Sequence, residues 1–308
     1  MLDPDTFLTT LYVMADTFCN TLPQEPHHGG SLPSLSRSEV ITLALFGQWA
    51  HFQSERNFYR YATRHLSSAF PSLPDRAQFN RLLRAHRDTL STFAVYLADQ
   101  QGARAAMYQA LDCSGVPTRN AKRRGAGWLA GIADIGWSNR LGWYEGLHLL
   151  LAVTPNGIIT GFGFGAASTK DQPLADTFFA LRQNAPQQMP SVGLPAAGPY
   201  VADTGFEGAL NHVRWAATYH AQVICPPRRT SRQPWSDAWR RWHAGVRQIV
   251  ETVYDKLHYT FRLLRERPHD LTGFQARLAA KVALHNFCTW INVQVGRERL
   301  AFADLIDW

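Results

Sequence analysis

Residues 107–117, Met-Tyr-Gln-Ala-Leu-Asp-Cys-Ser-Gly-Val-Pro, constrain the fold of this chain most. An apolar run enters Asp112 and then meets Ser114, Gly115 and Pro117. That pattern predicts a buried strand whose last side chain emerges at the end of a sheet. A carboxylate there is dry on one side and open on the other, which suits a metal ion or a reacting group. Residues 199–205 repeat the arrangement, with Tyr200, Val201 and Ala202 leading into Asp203 and then Thr204 and Gly205. Residues 248–257 predict a helix that carries Glu251. Each acid has an ordinary reading on its own. A strand-end aspartate bonds nearby backbone N–H groups, and Glu251, four residues after Arg247, makes a surface ion pair. Taken in order, two strand-end aspartates and one helical glutamate form a set able to hold a pair of divalent cations.

Leu111-Asp112-Cys113, Val201-Ala202-Asp203-Thr204-Gly205-Phe206 and Arg247-x-x-x-Glu251 resemble the motifs of bacterial insertion-sequence DDE transposases. Residues 146–157 are similar to that family's second strand and turn, and residues 272–286 to its closing helix, so the resemblance runs from about Ala105 to the C-terminus. It implies an α/β fold with an RNase H-like mixed sheet flanked by helices. It also implies two Mg²⁺ or Mn²⁺ ions, bridged by Asp112 and Asp203 and completed by Glu251, since hard cations take oxygen ligands. The implied partner is double-stranded DNA, as terminal inverted repeats and as target, bound by a homodimer. The family's hairpin-forming branch places a basic residue seven positions after the glutamate and a tyrosine three before the arginine. Here those positions hold His258 and Ala244. The three acids are unaffected, the departure leaves hairpin and non-hairpin pathways at cut ends both open, and His258 is expected among the DNA contacts.

A formal charge of +7 favours an acidic partner, nucleic acid first and an anionic membrane second. The four cysteines, Cys19, Cys113, Cys225 and Cys288, form no C-x-x-C pair, which argues against a zinc module and a disulfide framework and fits the cytoplasm. No basic start precedes a long apolar stretch, so no signal peptide is expected, and no uncharged run is long enough for a membrane span.

Residues 1–104 predict an all-helical, DNA-binding domain ahead of a catalytic domain at 105–308. Apolar spacing predicts a helix in residues 4–22, followed by a loop at 23–33. His27 and His28 in that loop lack partners at a metal-binding spacing. Ser36 and Glu39 form a capping-box signature, Ser54 opens a helix at 55–66, and Asp75 opens one at 76–86. Residues 37–104 hold nine arginines against five acids. Arg76, Arg81, Arg84 and Arg87 crowd the last of these helices, as a helix laid in a DNA groove requires; a solvated helical face is the plain alternative.

Beyond Asp112, Arg119, Lys122, Arg123 and Arg124 stand where they could hold a phosphate backbone, or form an exposed loop. Residues 146–153 and 158–164 predict strands joined by a turn at Pro155-Asn156-Gly157. Asp171 is expected to cap a helix to about Asn184. It follows Lys170 where the family often has a His-Asp pair, so it reads as structural. A helix at 206–219 and a strand at 221–225 complete a β-β-β-α-β-α order.

Residues 226–247 interleave Arg228, Arg229, Arg232, Arg240, Arg241 and Arg247 with Trp235, Trp239 and Trp242. The tryptophans lie on one helical face, to stack on unpaired bases or to pack a core. At about 100° per residue, Val246, Ile249, Val250, Val253, Leu257, Phe261 and Leu264 form a buried stripe. Arg247, Glu251 and His258 fall along its flank. Residues 271–293 predict a last amphipathic helix.

Three functions compete at this level. The first is a metal-dependent transposase. The second is an aspartic protease, suggested by Asp203-Thr204-Gly205 and opposed by the lack of a second copy to share a proton. The third is a catalytically inactive DNA-binding protein on the same fold, opposed by the presence of all three acids.

Overall fold

The computed structural model describes residues 1–23, 33–119, 129, 131–183, 193–227 and 231–308. The expectations for His27, His28, Lys122, Arg123, Arg124, Arg228 and Arg229 lie outside the described residues.

The chain begins with helices. α1 (Pro4–Cys19) is capped by the Asp3 carboxylate and α2 (Arg37–Phe46) by Ser36, whose capping box with Glu39 has both of its bonds. Ser54 caps α3 (Glu55–His65) and Asp75 caps α4 (Arg76–Ala85). α5 (Arg87–Gln100) is absent from the sequence expectations. Its first residue follows His86, which supplies no side-chain cap, so its start carries no punctuation. Leu90, Phe93, Ala94 and Leu97 nevertheless repeat at helical spacing and are buried.

Among the described residues one mixed sheet of six strands follows. β1 (Gln109–Arg119) lies between β3 (Gly142–Val153), antiparallel, and β5 (Gly198–Ala202), parallel. β6 (Ala221–Ile224) extends the sheet beyond β5. The far edge of β3 pairs with β2 (Asp134–Ser138) along its first half and with β4 (Ile159–Ala166) along its second. The turn between β3 and β4 is the expected one, with Gly157 at φ +79°, a conformation that a Cβ would strain. α6 (Asp171–Gln183) and α7 (Ala209–Tyr219) are joined to the sheet by a second apolar cluster that contains Leu111, Phe178, Tyr200 and Trp215. α8 (Asp237–Asp255) packs on the other side, with Val246, Val250 and Val253 in the main core.

Two sequence expectations change here. β1 does not end after Asp112 but continues to Arg119 along β3. Its parallel partner stops at Ala202, opposite Leu111, so the second half of β1 is an open edge, and the register slips between Pro117 and Arg119. Edges and bulges are where a sheet accepts proline. β2, which the sequence reading omits, adds a short hairpin with β3.

The last helix, α9 (Leu271–Gln294), is buried on almost every side. It joins the N-terminal helices to the sheet in one apolar cluster, where Phe7 meets Phe287 edge-on at 5.3 Å. Asn286 makes the join directional. Its Nδ2 donates to Ala94 O of α5 at 3.0 Å and to Ile159 O of β4 at 2.9 Å, and its Oδ1 accepts from Ile159 N at 3.0 Å. Lys281, fully buried, is held by Glu266 at 2.8 Å and by Gln48, just past the end of α2, at 2.5 Å. Lys281 and Arg277 hold the Glu266 carboxyl down at about 2 against the opposing effect of burial. Removing one partner from such a pair costs about 3–5 kcal/mol, because a buried charge is left uncompensated. No helix of the described residues is long and apolar enough to cross a membrane.

Candidate active site

Parallel pairing sets the two aspartates side by side. Leu111 is opposite Ala202, so Asp112 within β1 and Asp203 just past the end of β5 are the next residues of neighbouring strands that lie about 4.8 Å apart. Asp112 is 8% exposed. Asp203 also has the ordinary role foreseen for it, since its Oδ1 accepts from Gly205 N at 2.8 Å and starts the short turn Thr204–Phe206. Both acids line an open cavity of about 960 Å³ at this end of the sheet.

α8 brings the third acid. His243, Arg247, Glu251 and Tyr254 lie four, four and three residues apart, which puts them along one helical face. His243 Nε2 donates to Ala202 O at 2.9 Å, one residue before Asp203. The buried Tyr254 hydroxyl lies 2.9 Å from Asp112 O and 2.8 Å from Leu149 O and divides its proton between them. α8 is thereby fastened to β5 and β1 at the residues that carry or adjoin the aspartates. Between these anchors Arg247 Nη2 sits 3.5 Å from Asp112 Oδ2 and 3.6 Å from Glu251 Oε1. Glu251 is 60% exposed and faces the same cavity. His243 and Tyr254 are absent from the sequence candidates, although their spacing from Glu251 places them on its helical face.

Burial works against the charged form of two acids in this cavity, Asp112 and Asp171. Burial raises the Asp112 carboxyl to about 7, Asp203 adds to the rise, and Arg247 opposes it. Burial and Asp203 also raise Asp171, and His148 opposes that rise. A folded-state value above the ordinary 3.8 means that the native chain keeps a proton the unfolded chain releases. Stability from this group is therefore lost as pH rises from about 4 to about 7. Against the metal-free parent, Asp112→Asn is expected to become relatively more stable across that window, by a few kcal/mol at most (about 1.4 kcal/mol per unit). Saturating Mg²⁺ should shrink the difference. Urea unfolding of both proteins at pH 5 and pH 8 measures it, and parallel pH dependences would refute the assignment.

Asp171, expected to be structural, belongs to this cavity as well. It is the first residue of α6 and lies so close to Gly205 that a Cβ there would overlap its carboxylate. Asp255, the next acid along α8 after Glu251, is engaged by Arg140 at 2.6 Å.

The proposed DNA contacts separate into groups. Arg240 and Arg241 are exposed on α8, and Trp239 is 54% exposed beside Trp242. The tryptophan stripe is thus not a core, and its rings touch each other instead, with Trp239 and Trp242 at 5.2 Å. Arg76 pairs with Glu55 at 3.4 Å, Arg84 with Asp270 at 3.1 Å and Arg119 with Glu145 at 2.8 Å, while Arg81 bonds Gln78. His258 departs from expectation. It is 1% exposed, has neither ring nitrogen bonded, and is held neutral by burial, which lowers it to about 4. The cause is a π-helical turn, Lys256–Thr260, that directly follows α8. The wider turn breaks the 100° count and rotates His258 off the flank of Arg247 and Glu251.

The basic face that the sequence reading missed is on α3. Arg56, Arg60 and Arg64 are exposed at i, i+4 and i+8 and make no ion pair or hydrogen bond among the described residues. With Arg76 they line a shallow cavity of about 420 Å³.

The family model of the transposase DDE domain matches residues 107–287 of this chain. No curated protein matches it.

Proposed function

Because this chain belongs to the transposase DDE domain family, we propose that it cuts and joins DNA strands at insertion-sequence ends through a site formed by Asp112, Asp203 and Glu251. The observation that carries the reading is the convergence of these acids on one cavity, two from adjacent strands and one from a helix fastened to both. The mixed sheet, in which β4, β3 and β1 run antiparallel and β5 and β6 join parallel to β1, supports an RNase H-like reading of the core.

The donor set fits hard divalent cations, Mg²⁺ or Mn²⁺, because it is all carboxylate. Arg247 supports that fit on separate grounds, since its guanidinium already bridges Asp112 and Glu251, as a cation between facing carboxylates would. Bound there, two ions would supply an activated water or 3′-hydroxyl and a stabilised leaving oxygen. Within the protein, Tyr254 and His243 hold the carboxylates in register. The low polarity around Asp112 makes it depend on a cation. The Nε of Arg247, buried and without a partner, is placed to turn toward a phosphate.

DNA would approach over the exposed Trp137 and Trp143 of the β2–β3 hairpin, which line the same cavity, and along the exposed Trp239. Open aromatic faces beside basic residues suit unstacked bases. The α3 arginines would grip the duplex further away.

The test is strand cleavage of DNA bearing the element's ends by the purified chain. Mg²⁺ or Mn²⁺ should support nicking, and Ca²⁺ should support binding alone, because its looser coordination spoils ion placement. Trp239→Ala should slow cleavage by about tenfold or more without lowering Tm, one stacked base being worth roughly 1–3 kcal/mol. Binding without metal-dependent cleavage under any divalent ion would instead support the inactive DNA-binding reading.

A further inference from the structure

Cys113, His148 and Asp171 offer a sulfur, a nitrogen and an oxygen that all lie within 4.8 Å of one another. They come from three elements, and Asp171 borders Asp203 across the Gly205 turn. Alternation along β1 turns Cys113 to the face opposite Asp112. Leu111, two residues before Cys113, and Leu150, two after His148 on β3, lie together in the apolar cluster under α6 and α7. Asp171 opens α6 on that same face.

His148 is already oriented as a ligand. Its Nδ1–H donates to Thr169 O at 2.8 Å, which fixes the ring so that Nε2 faces Asp171 Oδ1, 3.6 Å away. A backbone carbonyl on the far ring nitrogen is the usual support of a metal-bound histidine, fixing both tautomer and ring angle. All three side chains are partly accessible and line the large cavity, so a fourth position is open to water.

From this geometry we propose that Cys113, His148 and Asp171 form a binding site for a thiophilic divalent cation, Zn²⁺ foremost, distinct from the Asp112–Asp203–Glu251 site. One thiolate, one imidazole and one carboxylate with an open fourth position make a zinc-type donor set, and Mg²⁺ competes poorly for sulfur. Binding exchanges the thiol proton, released to solvent, for the ion. The ion also neutralises Asp171, whose negative charge otherwise bears on both Asp112 and Asp203.

Co²⁺ titration of the full reduced chain, in excess Mg²⁺ and without DNA, tests this independently of any activity. One equivalent should bind with a thiolate-to-cobalt charge-transfer band, and Zn²⁺ should displace it. Cys113→Ser should abolish the band, and His148→Gln should weaken binding by more than about 100-fold, since loss of supporting groups alone costs 10–100-fold. Asp112→Asn and Asp203→Asn should retain the band, which separates this site from the proposed catalytic one. Should Cys113→Ser fail to fold, Zn²⁺ protection of Cys113 from alkylation in the parent protein, read by mass spectrometry, replaces it. Absence of binding, binding without the band, a band that survives Cys113→Ser, a band lost in Asp112→Asn, or Cys113 alkylated equally with and without Zn²⁺ would each overturn the proposal.

Discussion

Asp112→Asn, Asp203→Asn and Glu251→Gln are each expected to bind insertion-sequence ends as the parent does and to cut them at least about 10³-fold more slowly. Misplacing an ion that stabilises developing charge forfeits several kcal/mol of barrier lowering, and each 1.36 kcal/mol is a factor of ten. The DNA-facing surface is little changed, because no basic side chain is removed and each replacement is isosteric. Asp112→Asn also deletes a carboxylate that Arg247 now touches, so Arg247 should swing toward Glu251 without unfolding α8, which Tyr254 and His243 still hold. Gel-shift binding and single-turnover cleavage, measured on the same preparations, separate the two effects. Glu251 carries the sharpest form of the test, being the most exposed of the three. Normal cleavage by Glu251→Gln with both aspartate variants dead would reassign the third ligand. Asp171 would then be tested before Asp255, which Arg140 already engages.

What was legible in the sequence was whatever local chemistry writes into it. Ser36, Ser54 and Asp75 announced their helices because a short polar side chain must satisfy the first free N–H groups. The two aspartates were readable as the residues at which buried runs meet turn formers. His86 gives α5 no such mark. The pairing that makes Asp112 and Asp203 neighbours joins residues about ninety positions apart, and single-strand patterns do not encode it. Pro117 read as a strand end because a proline's effect depends on whether its edge is occupied, and occupancy is tertiary. His258 was misplaced because a π-turn has no sequence period of its own, so an ideal helical count ran straight through it. Asp171 reads as structural from its neighbour Lys170, yet its closeness to Gly205 is created by α6 docking over the β5 turn.

Replacing Arg56, Arg60 and Arg64 together with Ala is expected to remove most of the helical region's hold on DNA, whereas Arg76→Ala and Arg84→Ala should change it little. The reason is what each guanidinium already does. Arg76 and Arg84 must leave Glu55 and Asp270 before they can serve a phosphate, and Arg84 also links α4 to the cap of α9. The three α3 arginines have no such partners among the described residues and stand one turn apart on an exposed face. If each neutralises one phosphate, the log–log salt slope of binding should flatten by about 2.7, at roughly 0.9 per contact. Between 50 and 200 mM salt the parent should then lose about 40-fold more affinity than the triple variant. Stability should barely move, since exposed charges without partners contribute little. A triple variant that keeps the parent's slope, with Arg76→Ala or Arg84→Ala flattening it instead, would return the DNA-facing role to α4, where the arginine-rich sequence first suggested it.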